Sequence, residues 1–352
     1  MNHQIAIAGV GSAGRTHARA IATLDDAELV AGSCRTESKG EAFAAEFDCS
    51  YYTDTAAMLD AEAPDVLAVC TPSGAHLTPT LAAAEHGVDV LCEKPLEITT
   101  ERIDRMVAAC ETADVRLGGI FQRRYTPMLG VIRDAVTEGR FGTLSVASAH
   151  VPWWRDDDYY EDAWQGTRDL DGGGALINQS IHAVDAIQWL AGAGMDLAPG
   201  VNPVAEVFAF TDTRAHEGDH IEVEDTAVAT LRYRDGTLGQ ILAATSMFPG
   251  SEMEFRIAGR DGTAETRGGD LSTWRFRRER ASDTDVRARF GPEGDGGDAP
   301  APLEAANYRA FLDARAAGER FALDHSEARK AVEIVEAIYE SAATNAPVSL
   351  PE

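Results

Sequence analysis

The chain reads as an α/β protein: a Rossmann-type, doubly wound parallel sheet followed by an α+β domain with a mostly antiparallel, open sheet. Three observations predict this. Apolar strands and amphipathic helices alternate over the first ~120 residues. A glycine loop, Gly9-Val10-Gly11-Ser12-Ala13-Gly14, joins the first strand to the first helix. The rhythm then changes, and from Val204 onward strands follow one another closely.

In chain order, Ile5–Ala8 is a short buried strand, Arg15–Leu24 a helix and Glu28–Gly32 the second strand, with helices at Gly40–Phe47 and Thr55–Leu59. Asp65–Cys70 is a continuous apolar run, as in parallel strands covered on both faces. Leu77–His86 is a helix, Val88–Leu91 a strand, Thr100–Ala113 a helix, and Arg116–Phe121 closes the set. Beyond Tyr125 come a helix at Leu129–Glu138, a strand at Leu144–Trp154, and a helix at Leu176–Leu190 introduced by Gly172-Gly173-Gly174. Strands dominate from Val204 to Phe276, where Asp235-Gly236 and Asp261-Gly262 are hairpin turn signals. Gly291–Pro302 reads as a loop, and helices at Glu304–Ala317 and Ser326–Ala343 finish the chain. The expected division is 1–124 for dinucleotide binding and 125–352 for substrate binding and oligomerisation, the last helix being free to pack back on the first domain.

Acidic residues outnumber basic ones by 58 to 31, a formal net charge of −27, which disfavours nucleic acid and anionic membranes as partners. Spread acidity with only three lysines, Lys39, Lys94 and Lys330, reads as a salt-adapted, halophilic surface. The five cysteines, Cys34, Cys49, Cys70, Cys92 and Cys110, form no C-x-x-C pair, so reduced thiols in a cytoplasmic protein are expected rather than disulfides or zinc. The chain opens directly on a strand, so no signal peptide is expected, and no apolar run approaches the ~18 residues of a membrane span.

A G-x-G-x-x-G string has meaning where it follows a strand and opens a helix. Gly9 permits the tight turn, Gly11 admits a pyrophosphate to the backbone, and Gly14 lets helix and strand pack closely, with the phosphates on the helix N-terminus. At the end of the second strand, Ala31-Gly32-Ser33-Cys34-Arg35-Thr36 lacks the acid that would pair with a ribose 2′-hydroxyl. Arg35 would attract a 2′-phosphate, and Ser33, Thr36 or Ser38 would bond it. The expected cofactor is NADP, with NAD left open.

Thr71-Pro72-Ser73-Gly74-Ala75-His76 and Glu93-Lys94-Pro95 follow successive strands, so both lie on the rim that faces the ligand crevice. A lysine kept in apolar surroundings, in a chain nearly without lysine, suits acid/base work, since its pKa moves readily on burial. On the later helix, Asn178, His182 and Asp185 share one face while Ile177, Ile181, Val184 and Ile187 form an apolar one. No metal site is expected. His182 and Asp185 offer only two ligands, and His216 and His220 are separated by the turn-like Glu217-Gly218-Asp219. Trp153-Trp154-Arg155, Tyr159-Tyr160 and Trp164, with Arg168, suit either a core cluster or a sugar cleft. Gln122-Arg123-Arg124-Tyr125 lies at the domain junction, in reach of cofactor or substrate.

Taken together, the opening Ile5–Gly11, the Thr71-Pro72 loop with His76, Glu93-Lys94-Pro95, and Gly172-Gly173-Gly174 running to His182 and Asp185 resemble the glucose–fructose oxidoreductase/inositol dehydrogenase (Gfo/Idh/MocA) family over nearly the whole chain. The resemblance implies a two-domain NAD(P)-dependent oxidoreductase for sugars, polyols or their derivatives, forming homodimers or homotetramers through the open sheet face. It makes Lys94 and His182 the catalytic pair, with Asn178 where many members carry an aspartate. The expected cofactor contacts are Gly9, Gly11, Ser12, Ala13, Gly14, Cys34, Arg35, Thr71, Pro72, His76, Glu93, Lys94 and Gln122. The expected substrate contacts are Lys94, Arg123, Trp154, Arg155, Tyr160, Trp164, Arg168, Asn178 and His182. In that reading His182 removes the hydroxyl proton as hydride leaves carbon, Lys94 donates to the same oxygen from across one crevice, and Asp185 fixes the His182 tautomer or packs the helix. The alternatives are a glycoside-processing enzyme that oxidises C3 transiently and a dinucleotide-binding regulator without turnover.

Overall fold

The computed structural model describes residues 2–161, 163–216, 221–294 and 302–352. It divides into two units, Met1–Gln122 with Pro300–Arg329, and Arg123–Ala299 with Lys330–Glu352.

The first unit begins β1 (His3–Ala8), α1 (Ser12–Ile21), β2 (Ala27–Ser33), α2 (Glu37–Phe47), β3 (Ser50–Tyr52) and α3 (Thr55–Glu62). It continues β4 (Val66–Val69), α4 (Leu77–Glu85), β5 (Asp89–Cys92), α5 (Thr100–Thr112) and β6 (Leu117–Gly119). The strands form a six-stranded sheet in the order β3-β2-β1-β4-β5-β6, and every neighbouring pair is parallel. Ile5, Ile7, Leu67, Val69, Val90 and Leu91 are fully buried, because helices cover both faces and each strand needs apolar residues on both. Strand order reverses between β1 and β4, and a doubly wound sheet opens its crevice at the carboxyl ends there. The sequence reading omitted β3, whose three residues are too short to show a period.

The second unit holds α6 (Pro127–Thr137), β7 (Leu144–Pro152), and a π-helical turn, Ala175–Ser180, that runs into α7 (Ile181–Gly192). Then come β8 (Val204–Asp212), β9 (Thr226–Tyr233), β10 (Leu238–Ala244), β11 (Glu254–Gly259), β12 (Gly262–Arg267), β13 (Asp270–Phe276) and α8 (Ser282–Phe290). The chain ends with α9 (Leu303–Ala317), α10 (His325–Thr344) and β14 (Val348–Ser349). Among the described residues the second sheet has the order β13-β12-β11-β7-β10-β9-β8-β14, antiparallel except where β10 meets β7. Along β9, Ala227, Ala229, Leu231 and Tyr233 are buried while Val228, Thr230 and Arg232 face outward, the alternation of a sheet covered on one side. The Asp235-Gly236 turn closes β9 onto β10, with Gly236 at φ +89° and the Asp235 carboxylate taking the Thr237 N–H at 2.9 Å.

Two further features differ from the sequence reading. Helix α8 was not anticipated, since Ser-Asp-Thr-Asp-Val-Arg-Ala-Arg-Phe carries almost no apolar stripe. Helix α9 groups with the first unit rather than the second. Its Tyr308 is fully buried with its ring edge-on to His17, and Arg315 bridges Asp65 at 3.0 Å and Asp89 at 2.9 Å. Of the expected loop Gly291–Pro302, residues 295–301 lie outside the described residues.

Asp283 holds α8 in place. Its carboxylate accepts from Arg140 at 2.8 Å, from the Trp274 indole at 2.8 Å and from the Arg280 N–H at 2.7 Å. Burial alone would raise its pKa, but these donors outweigh that and hold it at about 2. The depressed pKa stabilises the fold above the unfolded-state value of about 3.9, and the gain disappears as pH falls toward 2. Asp283→Asn should therefore lower stability by about 2 kcal/mol at pH 7, with the difference from the parent closing near pH 2 in urea denaturation.

Candidate active site

At the carboxyl end of β1 the backbone turns sharply. Gly9 sits at φ +97°, and a Cβ there would lie 2.6 Å from the Cys70 carbonyl, so only glycine fits. Gly14 lies in the first turn of α1 against the Gly9 carbonyl. Gly11, Ser12 and Ala13 are exposed, and a Cβ on Gly11 would meet no protein atom within 4 Å. Helix α1 has Gly11 as its N-cap, no side-chain cap and no acid in its first turn. Its free N–H groups are therefore open to an anion, as a pyrophosphate requires.

The end of β2 is less uniform. Arg35 is exposed, and no described residue pairs with it. Ser33 is turned inward, with its hydroxyl 2.9 Å from that of Thr55, so it is not a ligand donor as the sequence suggested. The Cys34 thiol bonds back to the Thr36 carbonyl at 3.2 Å.

The loops after β4 and β5 are tied together. His76 is 1% exposed. Its Nε2 lies 2.8 Å from the Thr71 carbonyl and its Nδ1 2.9 Å from that of Pro95. The imidazole proposed as a cofactor contact is thus an internal clamp, and Thr71 and Pro72 remain half-buried at the crevice edge. Arg102 adds a second tie, donating to the Gly74 carbonyl at 2.8 Å and to the fully buried Glu97 at 2.7 Å. Lys94 is half-buried between these ties, and its peptide bond to Pro95 is cis. Glu93 accepts the Lys94 N–H at 2.8 Å and meets His17, a residue the sequence reading passed over, at 2.7 Å. Gln122 donates to Glu304 at 3.2 Å, while its Oε1 is buried and meets no donor among the described residues.

In the second unit the triple glycine serves packing. A Cβ on Gly174 would overlap the Glu224 carbonyl, and one on Gly173 the Tyr339 hydroxyl. The Glu224 carboxylate accepts from the Gly174 N–H at 3.0 Å, the Leu176 N–H at 2.9 Å and the Tyr339 hydroxyl at 2.9 Å. Burial raises its pKa against the pull of those donors. A carboxylate at the start of a helix stabilises it, and here it fixes the turn that carries Asn178. Of the expected polar stripe, Asn178 and His182 are half-buried, while Ile177, Ser180, Ile181 and Ala183 are buried. Asp185 departs from it. Buried at 1% exposure, it takes Arg124 at 2.8 and 2.5 Å and Gln188 at 3.3 Å. Its carboxylate is engaged in an internal ion pair that joins the 122–125 turn to α7, not in setting the His182 tautomer.

The aromatic group separates into core and edge. Tyr160 is core: it is 6% exposed beside Ile221 and Val223, donates to Thr245 at 3.0 Å, and has its pKa pushed up to about 12 by burial. Arg155 reaches Gln179 at 2.8 Å and lies over the Trp153 and Tyr159 rings. Trp154 stacks on His216, meets Phe248 edge-on and donates to Asp156 at 2.7 Å. His216 uses both nitrogens internally, toward Asp225 at 3.0 Å and the Arg155 carbonyl at 2.9 Å. His220 and the 217–219 turn lie outside the described residues. Trp164 is half-buried and Arg168 exposed. Arg123 is half-buried, its pKa lowered by burial, and no described residue supplies it a carboxylate.

Comparison with known proteins agrees with the fold. A family model described as "Oxidoreductase family, NAD-binding Rossmann fold" (GFO_IDH_MocA) matches residues 3–120, and one for the "GFO/IDH/MocA C-terminal domain" matches residues 131–265. The chain is 33% identical to D-glucoside 3-dehydrogenase of Escherichia coli K12 over 253 residues, which is 66% of this chain and 67% of that protein. It is 27% identical to myo-inositol 2-dehydrogenase of Thermotoga maritima over 74% of this chain and 73% of that one. The solved structure of the WlbA dehydrogenase from Bordetella pertussis, in complex with NADH and UDP-GlcNAcA, matches with a TM-score of 0.90 and 30% identity, covering 100% of this chain and 98% of that one.

Assigning Tyr160 to the core has a measurable consequence. Tyr160→Phe should lower stability by about 1 kcal/mol through loss of the Thr245 hydrogen bond, read by urea denaturation, and leave substrate KM within about twofold. A large rise in KM would return Tyr160 to the substrate cleft.

Proposed function

The chain belongs to the Gfo/Idh/MocA oxidoreductase family, and from that premise we propose that it moves hydride between a nicotinamide dinucleotide and a hydroxyl-bearing carbon of a sugar, polyol or sugar derivative. The observation that carries the reading is Lys94, one of three lysines in 352 residues, standing just past β5 on the strand edge that also bears the glycine loop. The glucoside and inositol dehydrogenases among its relatives support a carbohydrate substrate.

The residues present fit a dinucleotide. The Gly9–Gly14 loop and the uncapped α1 would hold the pyrophosphate, and the unmatched Gln122 Oε1 offers an acceptor for a carboxamide. When bound, the nicotinamide supplies the hydride acceptor. His182 takes the hydroxyl proton as general base, and Lys94 donates to the same oxygen and stabilises the charge growing on it. Asn178 orients the hydroxyl or the imidazole, since an amide donates and accepts hydrogen bonds but takes no proton. Arg123, Trp154, Trp164 and Arg168 are the candidate contacts for the rest of the sugar. Arg35, exposed and unmatched among the described residues, favours a 2′-phosphate and hence NADP over NAD.

Along the open face of the second sheet, Phe210 is 60% and Leu238 52% exposed, with Val228 and Val146 beside them. A second copy covering that face is the proposed oligomer. Among the described residues no helix is long and apolar enough to cross a membrane, and all five cysteines are free. The free thiols support the proposed cytoplasmic setting, and the acidic composition supports adaptation to salt.

A panel of sugars and polyols with NAD and NADP in high salt should give absorbance at 340 nm for at least one member. Lys94→Ala and His182→Ala should each lower kcat/KM by about 10³-fold or more with unchanged circular dichroism, and normal turnover by both would end the assignment. Arg35→Ala should raise KM about tenfold for NADP but not NAD, equal effects removing the cofactor preference. Sugar consumed without net NADH would favour transient oxidation at C3 instead.

A further inference from the structure

His17 carries a cost that its own packing does not explain. On the inner face of α1 it is 1% exposed, and its Nδ1 is buried without a hydrogen-bond partner among the described residues. Its ring meets the edge of Tyr308 at 5.6 Å, whose hydroxyl is also buried and unmatched. Burying such a group without a protein partner is unfavourable, and an apolar side chain would fill the same space without that loss. Among the described residues the one hydrogen bond of the imidazole is from Nε2 to Glu93 Oε1 at 2.7 Å. The other oxygen of that carboxylate, Oε2, accepts the backbone N–H of Lys94 at 2.8 Å.

We propose that His17 is a positioning residue for Lys94. Its Nε2–H holds one oxygen of Glu93, which fixes the carboxylate rotamer. The second oxygen then caps the Lys94 N–H and sets the direction in which the ammonium leaves the loop. The neutral tautomer with a proton on Nε2 suffices, so an unmatched Nδ1 is compatible with the role. His17 lies three residues after Gly14 on α1, so the helix whose N-terminus faces the pyrophosphate also orients the lysine. The inference rests on the reading that Lys94 acts on the substrate oxygen.

The scarcity of lysine makes the test direct. Reductive methylation with ¹³C-formaldehyde yields at most three lysine dimethylamine signals, and that of Lys94 is the one missing from Lys94→Ala. His17→Gln keeps an N–H near the Nε2 position, whereas His17→Asn places it one methylene short. His17→Ala and His17→Asn should shift the Lys94 signal while those of Lys39 and Lys330 stay. With the panel sugar that turns over fastest, they should lower kcat about 10- to 100-fold with KM for the dinucleotide within about twofold, and His17→Gln should restore both signal and kcat. An unmoved Lys94 signal with parental kcat in all three variants, while Lys94→Ala is inactive, would overturn the inference. So would a Gln variant as impaired as Asn. Normal turnover by Lys94→Ala would instead remove the catalytic reading, and this inference with it.

Discussion

A parallel strand delivers its last residue to the edge of the sheet and then leaves it to a loop, so a reactive side chain placed there depends on whatever ties that loop down. After β5 the ties come from several directions. His76 joins the Thr71 and Pro95 carbonyls, Arg102 joins Gly74 to Glu97, and Glu93 is held from α1 by His17. Each tie runs from one crossover to a neighbouring one. The Lys94 backbone is thus referenced to α1 and to the β4 loop, the two elements that line the dinucleotide crevice. Tolerances of about an ångström matter in hydride transfer, and rigid hydrogen-bonded loops supply them.

The second unit meets the same requirement with a different device. Asn178 and His182 sit where a π turn becomes α7, and such turns are frequent at functional sites. The widened turn is stabilised by a half-buried carboxylate, Glu224, which binds two of its N–H groups. Glycines at 173 and 174 allow Tyr339 and Glu224 to approach that closely. One turn along the helix, the buried Arg124–Asp185 pair pins α7 to the 122–125 turn. Polar groups buried at this density leave little freedom to the two side chains that remain half-open.

Much of this was legible before the structure. The glycine loop after a strand, the scarce lysine Lys94 at a strand end and the polar residues Asn178 and His182 are local signals, each readable within a few residues. His17, Glu224 and Tyr339 were not, because their meaning lies in partners 76, 48–50 and 115 positions away. Tyr160 and Asp185 looked like site residues for a related reason. An aromatic beside arginines, or an acid on a polar helix face, has the same local pattern whether it faces a ligand or a buried partner.

The sequence by itself determined the two-part order of elements, the dinucleotide-binding turn and the identity of the reactive candidates, since periodicity, glycine conformation and residue chemistry act over one or two turns of chain. Only the tertiary structure decided that α9 returns to the first unit, that Ser33 and His76 face inward, and that Asp185 belongs to Arg124. Those outcomes depend on which donor meets which acceptor once water is excluded, and a buried polar group takes the partner that folding brings to it rather than the one nearest in sequence.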